Sequence, residues 1–374
     1  MKIGILPWTL NSQRTGLENY LTSLITGMAE IGKSYEIYLI RHEKTDDELS
    51  GVTNEVILPN MPKILKSPIG LPYAINKADL DVVHATAHYF SQITPFYLNS
   101  GTGKVLTIHD LIPQIYPETI DDKQFFWLWK TTLDLIKNRA DAIIAISNHT
   151  KMDCIKYLGI PEEKIRVIYE AADEIFKPEK IKEEMKNHLK DKYGIEFPFI
   201  LSVGTLEKRK NLPNVLKAFY RLKKTGNHHK LVIVGKIGWK YNKIFSTMEE
   251  LDLKKDVIFT GYVPDEDLVK IYNAADLFVF PSIYEGFGLP PLEAMACGCP
   301  VITSNTSSLP EVVGDAGVTV DPYDDKALAD EMHRILSNDG FKTELSKKSL
   351  ERAELFSWRQ TAKETWKVYE EVSK

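Results

Sequence analysis

The stretch Leu277-Phe-Val-Phe-Pro-Ser-Ile-Tyr-Glu-Gly-Phe-Gly-Leu-Pro-Pro-Leu-Glu-Ala-Met-Ala-Cys-Gly298 reads as strand, glycine loop and helix in immediate succession. Leu277–Phe280 is an apolar run of strand length, and Gly286 and Gly288 punctuate the loop after it. Pro290 and Pro291 stand where a helix begins, a place where a missing N–H breaks no hydrogen bond. A strand that feeds a helix this directly is half of a β-α-β unit.

Working outward, the same alternation fills the chain. Strand-like runs lie at Ile3–Trp8, Glu36–Ile40, Glu55–Leu58, Asp81–His84, Lys104–Ile108, Ala142–Ile146 and Ile165–Ile168. Between them, Leu17, Tyr20, Leu21, Leu24, Ile25, Met28 and Ile31 recur at helical spacing, and Asp121–Arg139 and Asn148–Leu158 read as helices. Phe176–Pro198 is polar and lysine-rich and reads as linker plus a solvated helix. The alternation then restarts with strands at Phe199–Val203, Lys230–Val234, Val257–Thr260, Leu277–Phe280, Pro300–Thr303 and Gly317–Val320. Helices fit Asn211–Lys224, Asp265–Ala274, Pro290–Ala296 and Asp324–Leu336. The expected fold class is therefore α/β: two doubly wound, Rossmann-like domains facing each other across a cleft. The expected boundaries are 1–172, a linker or hinge at 173–198, 199–356, and a terminal helix at 357–374. Trp358, Ala362, Trp366 and Tyr369 share one face of that helix, which docks either on its own domain or back on the first.

Composition narrows the function. The 374 residues are 43% hydrophobic and 26% charged, ordinary globular values. With 47 basic and 52 acidic residues, net charge is -5, so no nucleic-acid partner is expected and an anionic ligand needs a local cationic cluster. Cys154, Cys297 and Cys299 are too few for a disulfide framework, and the C-x-C pair reads as small buried residues rather than a metal site. No run approaches the ~20 apolar residues of a membrane span. The opening MKIGILPW reads as a strand rather than a leader, and a reducing, cytoplasmic location is expected.

Loops that follow strands carry the chemistry in open α/β sheets. The amides of Gly286 to Leu289 lie at a helix start, where unpaired N–H groups and the helix dipole favour an anion. Glu285 precedes them and Glu293 follows, and carboxylates accept well from sugar hydroxyls. A nucleotide sugar supplies both partners, a diphosphate and hydroxyl-bearing rings. Val203-Gly-Thr-Leu-Glu-Lys-Arg-Lys-Asn211 adds Lys208, Arg209 and Lys210 just before a helix that Asn211 would cap. In the first domain, Asn11–Gly16 is a polar loop ending in glycine, though neither a dinucleotide fingerprint nor a P-loop. Thr107-Ile-His-Asp110 ends a strand and puts His109 and Asp110 at its rim, whereas His84 and His88 read as structural, and Ser147 reads as a helix cap. Phe125–Trp129 is an aromatic cluster that either packs inward or touches a membrane surface.

Five segments together resemble the retaining, nucleotide-sugar-dependent transferases of glycosyltransferase family 4 (group 1), which have the GT-B fold: TIHDL at 107–111, SNHTKMD at 147–153, GTLEKRKNL at 204–212, FTGYVPDEDL at 259–268 and EGFGLPPLE at 285–293. The resemblance covers essentially the whole chain. It implies that Glu285 contacts the transferred sugar, with Gly286, Phe287, Gly288 and Leu289 near sugar and phosphates, and that Glu293 holds the ribose. It further implies that Arg209 and Lys210 neutralise the leaving diphosphate and that Gly16 lets its loop approach it. His109 would sit over the donor sugar and Asp110 beside the acceptor. The base would lie near Val234–Lys236 and Gly261–Val263, with Gly235, Tyr262 and Val263 among the donor-binding residues. Where many relatives carry arginine after the glycine of the segment at 204–212, this chain has Thr205, which resembles a subgroup rich in mannosyltransferases and weakly favours GDP-mannose.

The implied reaction moves a hexose to a glycan or lipid-linked acceptor hydroxyl with retention, with peripheral contact at the inner membrane face among the expected partners. No cofactor is expected. Asp79–Asp81 has metal-binding spacing but precedes its strand and reads as a surface turn, so metal independence is expected. Two rivals share the architecture: a nucleotide-sugar epimerase, and a non-catalytic nucleotide-sugar binding protein.

Overall fold

The computed structural model describes residues 1–6, 16–32, 35–41, 51–62, 65–87, 101–117, 123–238 and 241–373, together with 44, 49 and 96. The chain divides into two compact units, Met1–Glu170 with Ser357–Lys374, and Ala171–Phe356.

The first unit holds strands β1 (Lys2–Leu6), β2 (Glu36–Arg41), β3 (Asn54–Ile57), β4 (Val82–Ala85), β5 (Gly103–Ile108), β6 (Ala142–Ala145) and β7 (Ile165–Val167). They form one sheet in the order β3-β2-β1-β4-β5-β6-β7, with every pairing parallel. The second unit holds β8 (Phe199–Val203), β9 (Lys230–Val234), β10 (Val257–Gly261), β11 (Leu277–Phe280), β12 (Val301–Ser304) and β13 (Val318–Val320), in the order β10-β9-β8-β11-β12-β13, again parallel. Both units are thus the parallel α/β sheets that the alternating runs predict.

The strands of the second unit are apolar on both faces because helices cover both. Phe199, Leu201, Val232, Phe278 and Phe280 enter one core layer. Ile200, Leu231, Ile233, Leu277 and Val279, the alternate positions, enter the other. Within the span read as linker, helix Glu183–Tyr193 buries Leu189, and Phe176 and Ile195 are buried beside it. Its polar face converges on Asp267, whose carboxylate accepts from His188 Nε2 at 2.8 Å, Lys192 Nζ at 2.7 Å, Tyr193 Oη at 2.8 Å and Lys270 Nζ at 2.7 Å. Burial alone would raise the Asp267 carboxyl, but these donors hold it far below the usual range. Its contribution is therefore full above about pH 4 and fades only in strong acid. Asp267→Ala should destabilise the second unit by about 2 kcal/mol, less than for a fully buried pair because the cationic partners are partly exposed. Denaturant unfolding followed at pH 7 checks this, and an unchanged midpoint would show that the four contacts contribute nothing net.

The terminal helix Trp358–Val372 belongs to the first unit. Small residues make room for it: a Cβ on Gly27 would lie 2.7 Å from the Trp358 carbonyl oxygen, and one on Gly103 would lie 2.5 Å from that of Val372. A buried polar chain ties it to the sheet, Tyr369 Oη to His84 Nδ1 at 2.7 Å, His84 Nε2 to Thr107 Oγ1 at 2.7 Å, and Thr107 Oγ1 to Tyr20 Oη at 3.1 Å. Burial pushes His84 down to about 3, so it is neutral and structural. His88 lies outside the described residues.

The aromatic cluster at 125–129 splits across helix Lys123–Ile136. Trp129 is buried, while Trp127 is 63% exposed and Leu128 45% exposed. Among the described residues, no helix is long and apolar enough to cross a membrane. All three cysteines are free and buried, and burial raises each thiol.

Candidate active site

In the second sheet the strand order reverses between β8 and β11. Side chains from the loops after these two neighbours therefore meet at the carboxyl ends of the strands, as in other open α/β sheets. The loop after β8 carries the turn Lys208–Lys210, and the loop after β11 carries 281–288. Asn211 joins them. It adopts a left-handed conformation (φ 58°), and its amide donates to the carbonyl oxygens of Pro281 at 3.2 Å and Pro322 at 2.5 Å. The expected cap is thus replaced: the side chain spans loops and makes no bond to the helix Leu212–Lys223.

Between the loops lies a half-buried ion cluster around the buried Glu285. Arg209 Nη1 is 2.6 Å from Glu285 Oε2, Arg209 Nη2 is 2.7 Å from Glu207 Oε1, and Lys210 Nζ is 2.7 Å from Glu285 Oε1. Arg209 Nη1 also donates to the Tyr284 carbonyl oxygen at 3.0 Å, and Lys210 Nζ sits 4.7 Å above the Phe280 ring. Gly204 leaves room for the Lys210 stem, since a Cβ there would lie 3.3 Å from Lys210 Cε. Burial would raise the Glu285 carboxyl, but the charges of Arg209 and Lys210 outweigh it and hold the group down at about 2. Burial and the neighbouring Arg209 charge lower Lys210, against the pull of Glu285.

The hydroxyl-rich loop 304–308, which the sequence reading did not single out, props the Glu285 loop. Ser307 Oγ accepts from the Glu285 amide at 3.0 Å, and Ser308 Oγ donates to the carbonyl oxygens of Glu285 at 3.0 Å and Phe287 at 2.5 Å. Thr306 Oγ1 donates to the Ile283 carbonyl oxygen at 3.0 Å. The available signal was its place: Ser-Asn-Thr-Ser-Ser follows β12, the strand paired with β11. Gly288 (φ 125°) turns the chain into helix Leu289–Ala296, and a Cβ there would lie 2.8 Å from Leu309 Cδ2. Gly286 and Phe287 are buried in the same loop, and Leu289 opens the helix.

Glu293 lies one turn into that helix and accepts from Tyr272 Oη at 2.8 Å. Burial raises its carboxyl to about 7, helped by the charges of Asp265 and Asp173 and opposed by the Tyr272 hydroxyl. A carboxyl raised in the folded state stabilises it below the ordinary value and loses that contribution as pH climbs to the folded one. The stability of this unit should therefore fall between about pH 5 and pH 7, and Glu293→Gln should flatten that slope. Thermal unfolding of both proteins across this window tests it, and parallel profiles would show that Glu293 ionises normally.

Next along the sheet, Gly235 (φ 150°) and Gly261 (φ 71°) follow or end β9 and β10 and are joined by a Gly235 N–H to Gly261 carbonyl bond of 2.9 Å. Lys236 Nζ lies 4.6 Å over the ring of the exposed Tyr262, Val263 is buried, and Thr205 packs against Gly238. Thr205, Arg209, Lys210, Gly235, Tyr262, Val263, Glu285–Leu289 and Glu293 all therefore lie at or just beyond the carboxyl ends of β8 to β11.

Gly16, His109 and Asp110 belong to the first unit. Gly16 opens helix Gly16–Ile31, while residues 11–15 of its loop lie outside the described residues. His109 is more committed than its sequence position suggests. Its Nε2 lies 2.9 Å from the Thr86 carbonyl oxygen and its Nδ1 lies 3.1 Å from Glu170 Oε1, so a donor to a sugar oxygen would have to leave one of these partners. Asp110 Oδ1 accepts from the Ile112 amide at 2.9 Å and caps a short turn. Ser147 caps helix Asn148–Leu158 through a bond from the Thr150 amide, as its sequence predicts. Asp81, of the Asp79–Asp81 pair, accepts the Lys2 amide at 2.7 Å, a contact to the first residue of β1.

Comparison with known proteins follows the same division. The sequence model for glycosyl transferases group 1 matches residues 182–353, and that for Glycosyltransferase Family 4 matches 14–174. The O-antigen chain mannosyltransferase B of Escherichia coli is 33% identical over 277 residues, 73% of this chain and 72% of that protein. The serotype-specific mannosyltransferase WbdA of Escherichia coli is 36% identical over 262 residues, 69% of this chain but 32% of that protein, so the match spans about a third of WbdA. Among solved structures, sucrose-phosphate synthase from Thermosynechococcus elongatus superposes with a TM-score of 0.78 at 22% identity, over 99% of this chain and 98% of that one. HepE of Anabaena, in complex with UDP and glucose, gives 0.78 at 18% identity over 99% and 100%. These two share the fold, GT-B. With one family model on each α/β unit and a relative matched over most of its length, the chain belongs to glycosyltransferase family 4, group 1.

Proposed function

We propose that the chain is a retaining hexosyltransferase that moves mannose from GDP-mannose to a glycan or lipid-linked acceptor hydroxyl in polysaccharide synthesis. The observation that carries the reading is the meeting of Arg209 and Lys210 with Glu285 at neighbouring strand ends, with Glu293 on the helix that follows. The two cations suit a diphosphate, and the two carboxylates suit hydroxyls. The GTLEKRKN segment and the mannosyltransferase relatives favour mannose as the sugar.

In this reaction the bond from the anomeric carbon to the phosphate oxygen breaks while one to the acceptor oxygen forms on the same face. The acceptor proton passes to the departing phosphate oxygen. Negative charge grows on the diphosphate, and Arg209 and Lys210 stabilise it more in the transition state than before. Glu285, held ionised by two cations, is a weak base and a poor nucleophile, which favours the direct route over a covalent sugar–enzyme intermediate. The reading includes metal independence: turnover in chelator should equal turnover without it, and loss restored by manganese would contradict this. It also includes a cytoplasmic setting at the inner membrane face, with exposed Trp127 and Leu128 as the contact.

The anomeric configuration of the product tests the reading. With GDP-mannose and a mannose-terminated acceptor, the new linkage should be α, as in the donor. A β linkage would exclude retention, and an epimerised donor without transfer would move the chain to the epimerase class.

A further inference from the structure

Arg209 and Lys210 are already neutralised by side chains of their own unit. Glu285 bridges them, one carboxylate oxygen to each at 2.6 and 2.7 Å, and Glu207 takes the other edge of the guanidinium at 2.7 Å. Two cations face two carboxylates, so a diphosphate that enters must displace one. Glu285 is the one whose displacement frees both cations at once, since it bridges them while Glu207 engages Arg209 alone. Its backbone is pinned at both ends by Ser307 and Ser308, which leaves side-chain rotation as its freedom. Lys210 cannot follow a ligand far, since its stem lies against Gly204 and its ammonium over Phe280.

We propose that the Glu285 carboxylate is the internal counter-anion of the diphosphate clamp, displaced from Arg209 and Lys210 onto sugar hydroxyls when a complete donor binds. This rests on the nucleotide-sugar reading of the site. Its consequence is discrimination between donor and product. A nucleotide sugar gives Glu285 hydroxyl partners in exchange for the cations it surrenders. A nucleoside diphosphate offers none, so Glu285 competes with it for Arg209 and Lys210. Once the sugar has been transferred, the same competition expels the diphosphate. The device sits within one unit and acts at any pH at which the protein is folded near neutrality, because Glu285 stays ionised there.

Binding of inorganic pyrophosphate, GDP and GDP-mannose to wild type, Glu285→Gln, Glu285→Asp and Arg209→Ala, measured by calorimetry in chelator, tests this. Pyrophosphate carries no base and isolates the clamp from base selection. Glu285→Gln should bind pyrophosphate and GDP at least about tenfold tighter, since close charge pairs couple by at least that much. GDP-mannose should gain less, which reverses the preference for donor over product. Glu285→Asp, too short to bridge both cations, should fall between, and it keeps the test alive if the glutamine variant does not fold. Diphosphate binding unchanged or weakened in both Glu285 variants, but weakened in Arg209→Ala, would overturn the counter-anion and leave the site reading standing. Binding unchanged in all three variants would overturn the site reading itself.

Discussion

Arg209→Ala is expected to lower kcat by tens-fold or more while the protein remains folded. The guanidinium is the charge best placed to meet a diphosphate, because it lies at the end of β8 with Glu285 from the end of β11 as its partner. Its loss removes about 2–4 kcal/mol of transition-state stabilisation, the magnitude usual for a preorganised donor aimed at developing charge. Lys210 survives in the variant with Glu285 as its own partner, so the cluster keeps one cation and turnover does not vanish. Arg209→Lys should recover part of the rate, because charge returns without the planar fork that engages Glu207 and Glu285 together. Steady-state release of the nucleoside diphosphate measures both variants. Wild-type turnover in Arg209→Ala would remove the clamp from the mechanism.

Gly235→Ala is expected to disable the donor loops through the backbone. At φ 150° the residue occupies a region that side chains rarely enter. A Cβ there would lie 2.1 Å from the Gly204 carbonyl oxygen, a backbone atom that cannot swing aside. Either the β8 and β9 loops separate, breaking the Gly204 N–H to Val234 carbonyl bond of 2.8 Å, or the strain stays in place. The combined strain and overpacking amount to about 3 kcal/mol. The variant should therefore show a lowered unfolding midpoint in the second unit and lose binding of nucleotide, whereas Gly226→Ala, at φ 86° but with open space around its Cβ, should lose stability without losing binding. Equal binding by Gly235→Ala and wild type would mean that the two loops are not held in register by this contact.

Much of the fold was legible because the strands of the second unit are short, mostly apolar runs, and the run Leu277–Phe280 is wholly apolar with a glycine loop after it. The runs Phe199–Val203, Lys230–Val234 and Leu277–Phe280 coincide with the observed strands. Helix Asp339–Ala353 was not read, because DGFKTELSKKSLERA carries many charges and few apolar positions and is seated by tertiary contact. Glu285, Glu293, Arg209 and Lys210 were legible as charges in loops after strands. Their partners were not. Glu285 meets Lys210 across 75 residues, Glu293 meets Tyr272 across 21, and His109 meets Glu170 across 61. Sheet order decides such pairings, and local spacing does not encode it. Asn211 shows the same limit: a good cap by sequence, it serves instead as a tie between two loops.

The most direct test is metal-free turnover of GDP-mannose, UDP-glucose, UDP-N-acetylglucosamine and ADP-glucose, with thermal stabilisation read in parallel for wild type and Arg209→Ala. The account predicts that GDP-mannose alone stabilises the wild type and slowly releases GDP, and that Arg209→Ala is stabilised less and releases GDP tens-fold or more slowly. Stabilisation by none of the four, or an equal response from wild type and Arg209→Ala, would contradict it.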